Sequence, residues 1–218
     1  MHLRTKSGSC WSQAVVSAIE TMKCMKTGRL ETMSAQNLID CAARKYGYKL
    51  DGCAGGMFPD ALQYVINNNG IDDDECYPYG ANDREPCRYT SDCKVGSVAT
   101  WRRLPPTEEA LKEAVAKHGP VLAAIHTNDD FFSYNSGVYD DPKCTNERSK
   151  INHGVVIVGY GSENGKDFWI VVSDLVGLCV FVRQSERASE RASQRYHCLV
   201  FWLALSSFSL LHCVATLT

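Results

Sequence analysis

Apolar residues recur at helical spacing from Cys10 to Met25, where Trp11, Ala14, Val15, Ala18, Ile19 and Met22 share one face. Gly28 follows as a stop, so the chain opens with an amphipathic helix. Ser34 is placed to open a shorter helix through Leu38, Ile39 and Cys41. Pro59, in a first-turn position, starts a third through Ala61, Leu62, Tyr64, Val65 and Ile66, ended near Gly70. A turn-rich stretch with Pro78, Gly80 and Pro86 leads to a fourth helix: Thr107 is its cap, Glu108 and Glu109 its first turn, Lys117 and His118 its last, and Gly119-Pro120 its end. The pattern then changes to strands. Val121 to Ile125, Gly137 to Tyr139, Gly154 to Tyr160 and Phe168 to Val172 are β-branched or aromatic runs, and Asn164-Gly165 marks a hairpin turn between the last two. A helical part over about residues 7–95 and a β part over 96–171 predict an α+β chain of two subdomains with a cleft between them.

The tail, 172–218, has another character. Residues 183–195 read RQSERASERASQR, with Arg183, Arg187, Arg191 and Arg195 four apart, and Leu199 to Leu217 is almost wholly apolar. Taken alone, that is a basic helix leading into a membrane segment of about 19 residues, near the lower limit for spanning a bilayer.

Composition narrows the function classes. Of 218 residues 44% are hydrophobic and 22% charged, which excludes disordered, collagen-like and coiled-coil chains. Basic and acidic residues number 23 and 25, too even for a surface that grips nucleic acid through its phosphates. Eleven cysteines point to an oxidising or endolysosomal compartment, and the odd count leaves at least one thiol outside any intramolecular disulfide. No pair is spaced C-x-x-C, so no metal site is expected. Gly159-Tyr-Gly161 leads into a strand rather than a helix, and the acidic run from Asp72 to Glu75 lacks calcium-loop spacing, so no cofactor is expected either. Met1 to Lys6 is polar and basic, and no signal peptide is legible after it.

Two residues carry chemistry. Cys10, in Ser7-Gly8-Ser9-Cys10-Trp11, opens the first long helix, where backbone N–H groups and the positive end of the helix dipole favour thiolate over thiol. The plain alternative for one cysteine is a buried or disulfide-bonded residue. His153 precedes the strand run that begins at Gly154, at the mouth of the β part. A cysteine on the helical half and a histidine on the sheet half make a nucleophile and base.

The motifs around them extend over most of the chain: Gly8-Ser9-Cys10-Trp11, Met33 to Cys41, Gly52-Cys53-Ala54-Gly55-Gly56, Tyr77-Pro78-Tyr79, Gly119-Pro120, Ser136 to Tyr139, and Asn152-His153-Gly154 through Gly161. In these the chain resembles the papain-like cysteine peptidases of family C1, in particular the cathepsin L, S and K group. The resemblance implies a helical left domain and a β-barrel-like right domain with the active site in the cleft between them. It implies a Cys10 thiolate and His153 imidazolium pair acting as a cysteine-type endopeptidase. Gly55 and Gly56 would hydrogen-bond the substrate backbone, with Asn152 also among the substrate-binding positions. Met57, Phe58, Ala124 and Ile151 would shape an apolar pocket for the residue two before the scissile bond. The resemblance further implies a Cys41–Cys87 disulfide, peptide or protein substrates, protein inhibitors as partners, and a lysosomal or extracellular location, with membrane contact only through the tail.

Departures from the pattern accompany these matches. Arg4 stands where the family carries an oxyanion-binding glutamine, and Ser7 where it carries the cysteine that would pair with Cys53, leaving Cys53 a candidate free thiol. Cys144 would look for a partner in the unmatched tail. Counting about twenty residues on from His153, the expected asparagine of the triad is Ser173, and Asp174, one position out of register, would point to the other face of a strand. The similarity ends abruptly at Val171, followed by Val172-Ser173, which suggests translation through an unspliced intron and an incomplete right domain. The competing expectation is a catalytically inactive homologue that binds peptides or inhibitors in the cleft.

Overall fold

The computed structural model describes residues 8–46, 48–145, 147–173, 179–183 and 199–204, with 43–46, 179–183 and 199–204 described by backbone alone. The chain divides into two compact units, 1–102 with 203–218, and 103–202.

Three helices make the core of the first unit: α1 (Cys10–Thr27), α2 (Ala35–Tyr46) and α3 (Phe58–Asn67), each packed on the other two. The predicted apolar face of α1 is the one buried, with Trp11, Ala14, Val15, Ala18 and Ile19 all at 6% exposure or less. Leu38 and Ile39 of α2 and Ala61, Leu62 and Val65 of α3 close against it, each large side chain contributing roughly 1.5–3 kcal/mol of burial. The helix ends follow the punctuation in the sequence. Gly28 caps α1 in the left-handed conformation at φ 73°, and its N–H donates to the Cys24 carbonyl. The Ser34 hydroxyl accepts from the Asn37 N–H at 2.9 Å, and Pro59 lies in the first turn of α3. Two short antiparallel strands, β1 (Ile71–Asp72) and β2 (Lys94–Gly96), have no counterpart in the sequence reading.

In the second unit, α4 (Glu108–His118) has the predicted bounds, with the Thr107 hydroxyl accepting from the Ala110 N–H at 3.2 Å. Its Leu111, Ala114 and Val115 pack on one face of a sheet, against Val121 and Ala123 of β4 (Val121–Ile125), Val155 and Ile157 of β6 (His153–Glu163), and Trp169 and Val171 of β7 (Lys166–Val172). The Trp169 Nε1–H donates to Glu108 Oε2 at 2.8 Å, fixing β7 to the head of α4. The turn between β6 and β7 is Asn164-Gly165, at φ 52° and 75°, the positive pair that a two-residue hairpin requires. With β3 (Thr100–Arg103), β5 (Val138–Tyr139), β8 (Cys179–Arg183) and β9 (Leu199–Ala204), the strand order is β3-β9-β4-β6-β7-β8-β5.

The tail therefore departs from the membrane-helix expectation where it is described. Leu199 to Trp202 pairs antiparallel with β4, from Ala124 opposite Leu199 to Val121 opposite Trp202, so these backbone groups are satisfied by a neighbouring strand rather than within a helix. Among the described residues no helix is long and apolar enough to cross a membrane. Residues 184–198 and 205–218, which hold most of the Arg repeat and the rest of the apolar run, lie outside the described residues, as do Arg4, Ser7 and Asp174. β8 and β9 also place strands after Val171, where none was expected.

Candidate active site

The first group of site residues gathers at the head of α1. Ser9 is buried at 1% exposure, and its carbonyl accepts the N–H groups of Ser12 and Gln13 at 3.0 and 3.2 Å. Its hydroxyl lies 2.6 Å from the Tyr79 hydroxyl. Tyr77, in the same Tyr-Pro-Tyr segment, donates its hydroxyl to Asp40 Oδ2 at 2.7 Å, and burial, with that carboxylate, holds it near pKa 12. Gln36 donates to the other Asp40 oxygen at 2.9 Å. The Cys41–Cys87 disulfide, with Cα atoms 4.7 Å apart, closes the loop that carries Tyr77 and Tyr79. Cys10, a half-buried thiol, is thus the first helical residue after an anchored serine.

Trp11 connects this helix start to the glycine-rich turn. Its Nε1–H donates to the Gly52 carbonyl at 3.0 Å, and its ring lies under Gly56. The two glycines of Gly55-Gly56 are needed for different reasons. At Gly55 the backbone takes φ 141°, where a side chain is strained although the space around it is open. At Gly56 a Cβ would stand 2.6 Å from the Trp11 ring and 2.8 Å from Leu50, so here the space is filled. Met57 follows, 47% exposed, whereas Phe58, expected beside it in the pocket, is 4% exposed and begins the buried face of α3. Phe58 therefore belongs to the core of its unit and offers no surface to a ligand.

The second group lies at the edge where β6 begins. His153 is 5% exposed, and burial pulls its pKa from 6.5 down to about 4. One ring face meets Phe131, with centroids 5.9 Å apart and planes at 61°. Phe131 sits on α5 (Asp129–Phe132), a single turn missing from the sequence reading. Its signal was available: Asn128 ahead of Asp129-Asp130 is a strong N-cap, and its Oδ1 accepts from the Asp130 and Phe131 N–H groups at 3.0 and 3.3 Å. Asn152, expected among the substrate-binding residues, spends its side-chain amide on Thr127. It accepts from the Thr127 N–H at 2.8 Å and hydroxyl at 3.1 Å, and donates to the Thr127 carbonyl at 2.8 Å. Ala124, opposite Gly154, and Ile151 are both half-buried in this unit.

The residue that sequence reasoning left without a role is Ser173. Its hydroxyl lies 2.9 Å from His153 Nε2, and it is 2% exposed. Register explains the meeting. Val156 faces Val172, so Ser173 continues the inward row of Trp169 and Val171, and His153 continues the inward row of Ile157 and Val155. The two are diagonal neighbours on one face, within reach of their side chains.

The remaining sulfur sorts as follows. Cys76 pairs with Cys93, and Cys24 is also disulfide-bonded. Cys53 and Cys144 are free thiols, as the departures at Ser7 and in the tail imply. Burial, then Asp83 and Asp40, raises the Cys53 thiol above its ordinary value; burial, then Asp141, does so for Cys144. Among the described residues no cluster of histidine, cysteine, aspartate and glutamate could hold a metal ion.

Residues 2–174 match the family model for papain family cysteine proteases, a span that includes both groups of site residues. The chain belongs to that family. It is 48% identical over 166 residues to cathepsin S of Bos taurus, covering 75% of this chain and 48% of that protein. To cathepsin K of Mus musculus it is 40% identical over 166 residues, with 75% and 48% covered. The solved structure of digestive procathepsin L 3 from the larval midgut of Tenebrio molitor superposes with a TM-score of 0.79 at 32% identity, covering 94% of this chain and 66% of that one. The papain-like α+β fold is borne out by these matches, with an open sheet in place of a closed barrel. The chain spans about half the length of the curated relatives it matches.

Proposed function

We propose that this chain is a cysteine endopeptidase in which Cys10 is the nucleophile and His153 its acid and base. The Cys10 thiolate attacks the carbonyl carbon of an extended peptide, and the C–N bond breaks as the His153 imidazolium gives its proton to the leaving amine. Water then attacks the thioester, His153 takes its proton, and the carboxylic acid leaves with the thiol restored. Gly55 and Gly56 offer bare backbone to the substrate, and Met57, Ala124 and Ile151 favour a hydrophobic side chain two before the scissile bond. Peptide or protein substrates, protein inhibitors of this protease class, and a lysosomal or secreted location fit the same reading.

The observation that carries it is a half-buried thiol at the first position of an 18-residue helix, inside a family match that also spans His153. A non-catalytic homologue that holds peptides or inhibitors is the second reading, and Ser173 at the asparagine position is in its favour. Iodoacetate titration separates the two. A thiolate paired with an imidazolium is alkylated at Cys10 with unit stoichiometry at pH 4–5, roughly four pH units below an ordinary thiol. Hydrolysis of a Phe-Arg or Leu-Arg fluorogenic peptide should accompany it. Alkylation confined to alkaline pH, with no hydrolysis, refutes the peptidase reading.

A further inference from the structure

Resting on that reading of Cys10 and His153, we infer that Ser173 is a positioning residue, whose hydroxyl holds the His153 ring in its working orientation. The geometry has three parts. The hydroxyl is 2.9 Å from Nε2, a good hydrogen-bond length for this pair. Both residues are buried, at 2% and 5% exposure, so water competes poorly for either group. Both sit at the ends of inward-facing rows of paired strands, and the turn that joins those strands, Asn164-Gly165, fixes their register. Phe131 bounds one side of the ring and the backbone of Asn152 is pinned at Thr127, so Ser173 supplies the directional contact at the ring edge.

A serine hydroxyl also suits a ring that changes protonation. The imidazolium carries N–H at both nitrogens, and the hydroxyl oxygen accepts from Nε2–H in that state. When Nδ1 gives up its proton, Nε2 keeps its own, and the same bond persists while Nδ1 presents its lone pair. Because the hydroxyl can also rotate to donate, it stabilises the other neutral tautomer as well. Ser173 therefore fixes the plane of the ring more firmly than it fixes the tautomer. Asp174, the other candidate weighed from sequence, is not required for this contact.

The test compares the parent chain with Ser173→Ala and Ser173→Thr, using kcat, KM and the pH profile of Cys10 alkylation. Alanine removes one oxygen from a small buried site and leaves the strand intact; threonine keeps a hydroxyl at the same carbon. Loss of the bond should lower kcat about tenfold with KM changed less than twofold, and should displace the acid limb of the alkylation profile. Threonine should restore most of the rate and the parent profile. A parent alkylated at pH 4–5 with an alanine variant equal to it in kcat and profile overturns this inference and leaves the peptidase reading standing. A parent alkylated only at alkaline pH overturns the peptidase reading first, and this inference with it.

Discussion

The burial of His153 opposes the charge that the proposed mechanism gives it. With the ring 5% exposed and its pKa drawn from 6.5 to about 4, the imidazolium is disfavoured in the folded chain by about 3 kcal/mol, at about 1.4 kcal/mol per unit. For a base whose folded value lies below its unfolded one, the unfolded chain takes up the proton first as pH falls. The contribution of His153 to stability is therefore whole above pH 6.5 and is lost progressively toward pH 4. A thiolate at Cys10 is the group able to reverse this, because an opposite charge nearby favours the protonated ring. The perturbation is Cys10→Ala, which leaves the fold of α1 undisturbed while removing the anion. By NMR, the ring of His153 should titrate near 4 in the variant and at least one unit higher in the parent. Equal midpoints in the two chains would refute the ion pair. A midpoint near 6.5 in the variant would refute the burial argument itself.

Two further perturbations test how the site is held. Burial raises the Glu20 carboxyl from 4.5 to about 6, with Asp74 and Asp73 adding to the shift and the Met33 N–H, donating at 2.7 Å, opposing it. Such a group keeps its proton longer when folded, so stability is highest below pH 4.5 and falls by about 2 kcal/mol up to pH 6. Glu20→Gln should flatten that slope in urea unfolding, and an unchanged slope would count against the assignment. Asn152→Ala strips three hydrogen bonds from Thr127, itself 5% exposed, and should cost about 2–4 kcal/mol of stability together with faster amide exchange at Thr127. A loss below about 1 kcal/mol would show that water replaces the amide.

Local punctuation made much of the fold legible. Thr107 with Glu108 and Glu109, Pro59, Gly28 and Asn164-Gly165 each act within a few residues, and the structure uses every one of them where the sequence places it. The elements that escaped have no such signal or too little length. β1 and β5 span only two residues each, and α5 four, below the length at which hydrophobic periodicity registers. β9 escaped for a different reason. A continuous apolar run reads equally as a buried helix, a membrane segment or a central strand, and only the open flank of β4 decides that Leu199 to Ala204 pairs as a strand.

The site divides along the same line. Cys10 and His153 stood out because each belongs to a contiguous motif, but what fixes their surroundings lies far off in sequence. Trp11 reaches Gly52 across 41 positions, and His153 reaches Ser173 across 20. The first contact shows why the residue after the nucleophile is so large: its ring fills the space beneath Gly56, so the glycine there answers to Trp11, while Gly55 answers to its own φ. Substituting Trp11 would therefore reach the substrate-binding turn without touching Cys10. The second contact depends on strand register alone. Ser173 has no motif around it, and a slip of one residue between β6 and β7 would turn it to the opposite face and leave the imidazole edge to whatever residue followed. Turn chemistry at Asn164-Gly165, eight positions from the nearest of the two, thus sets whether His153 has a hydroxyl to lean on.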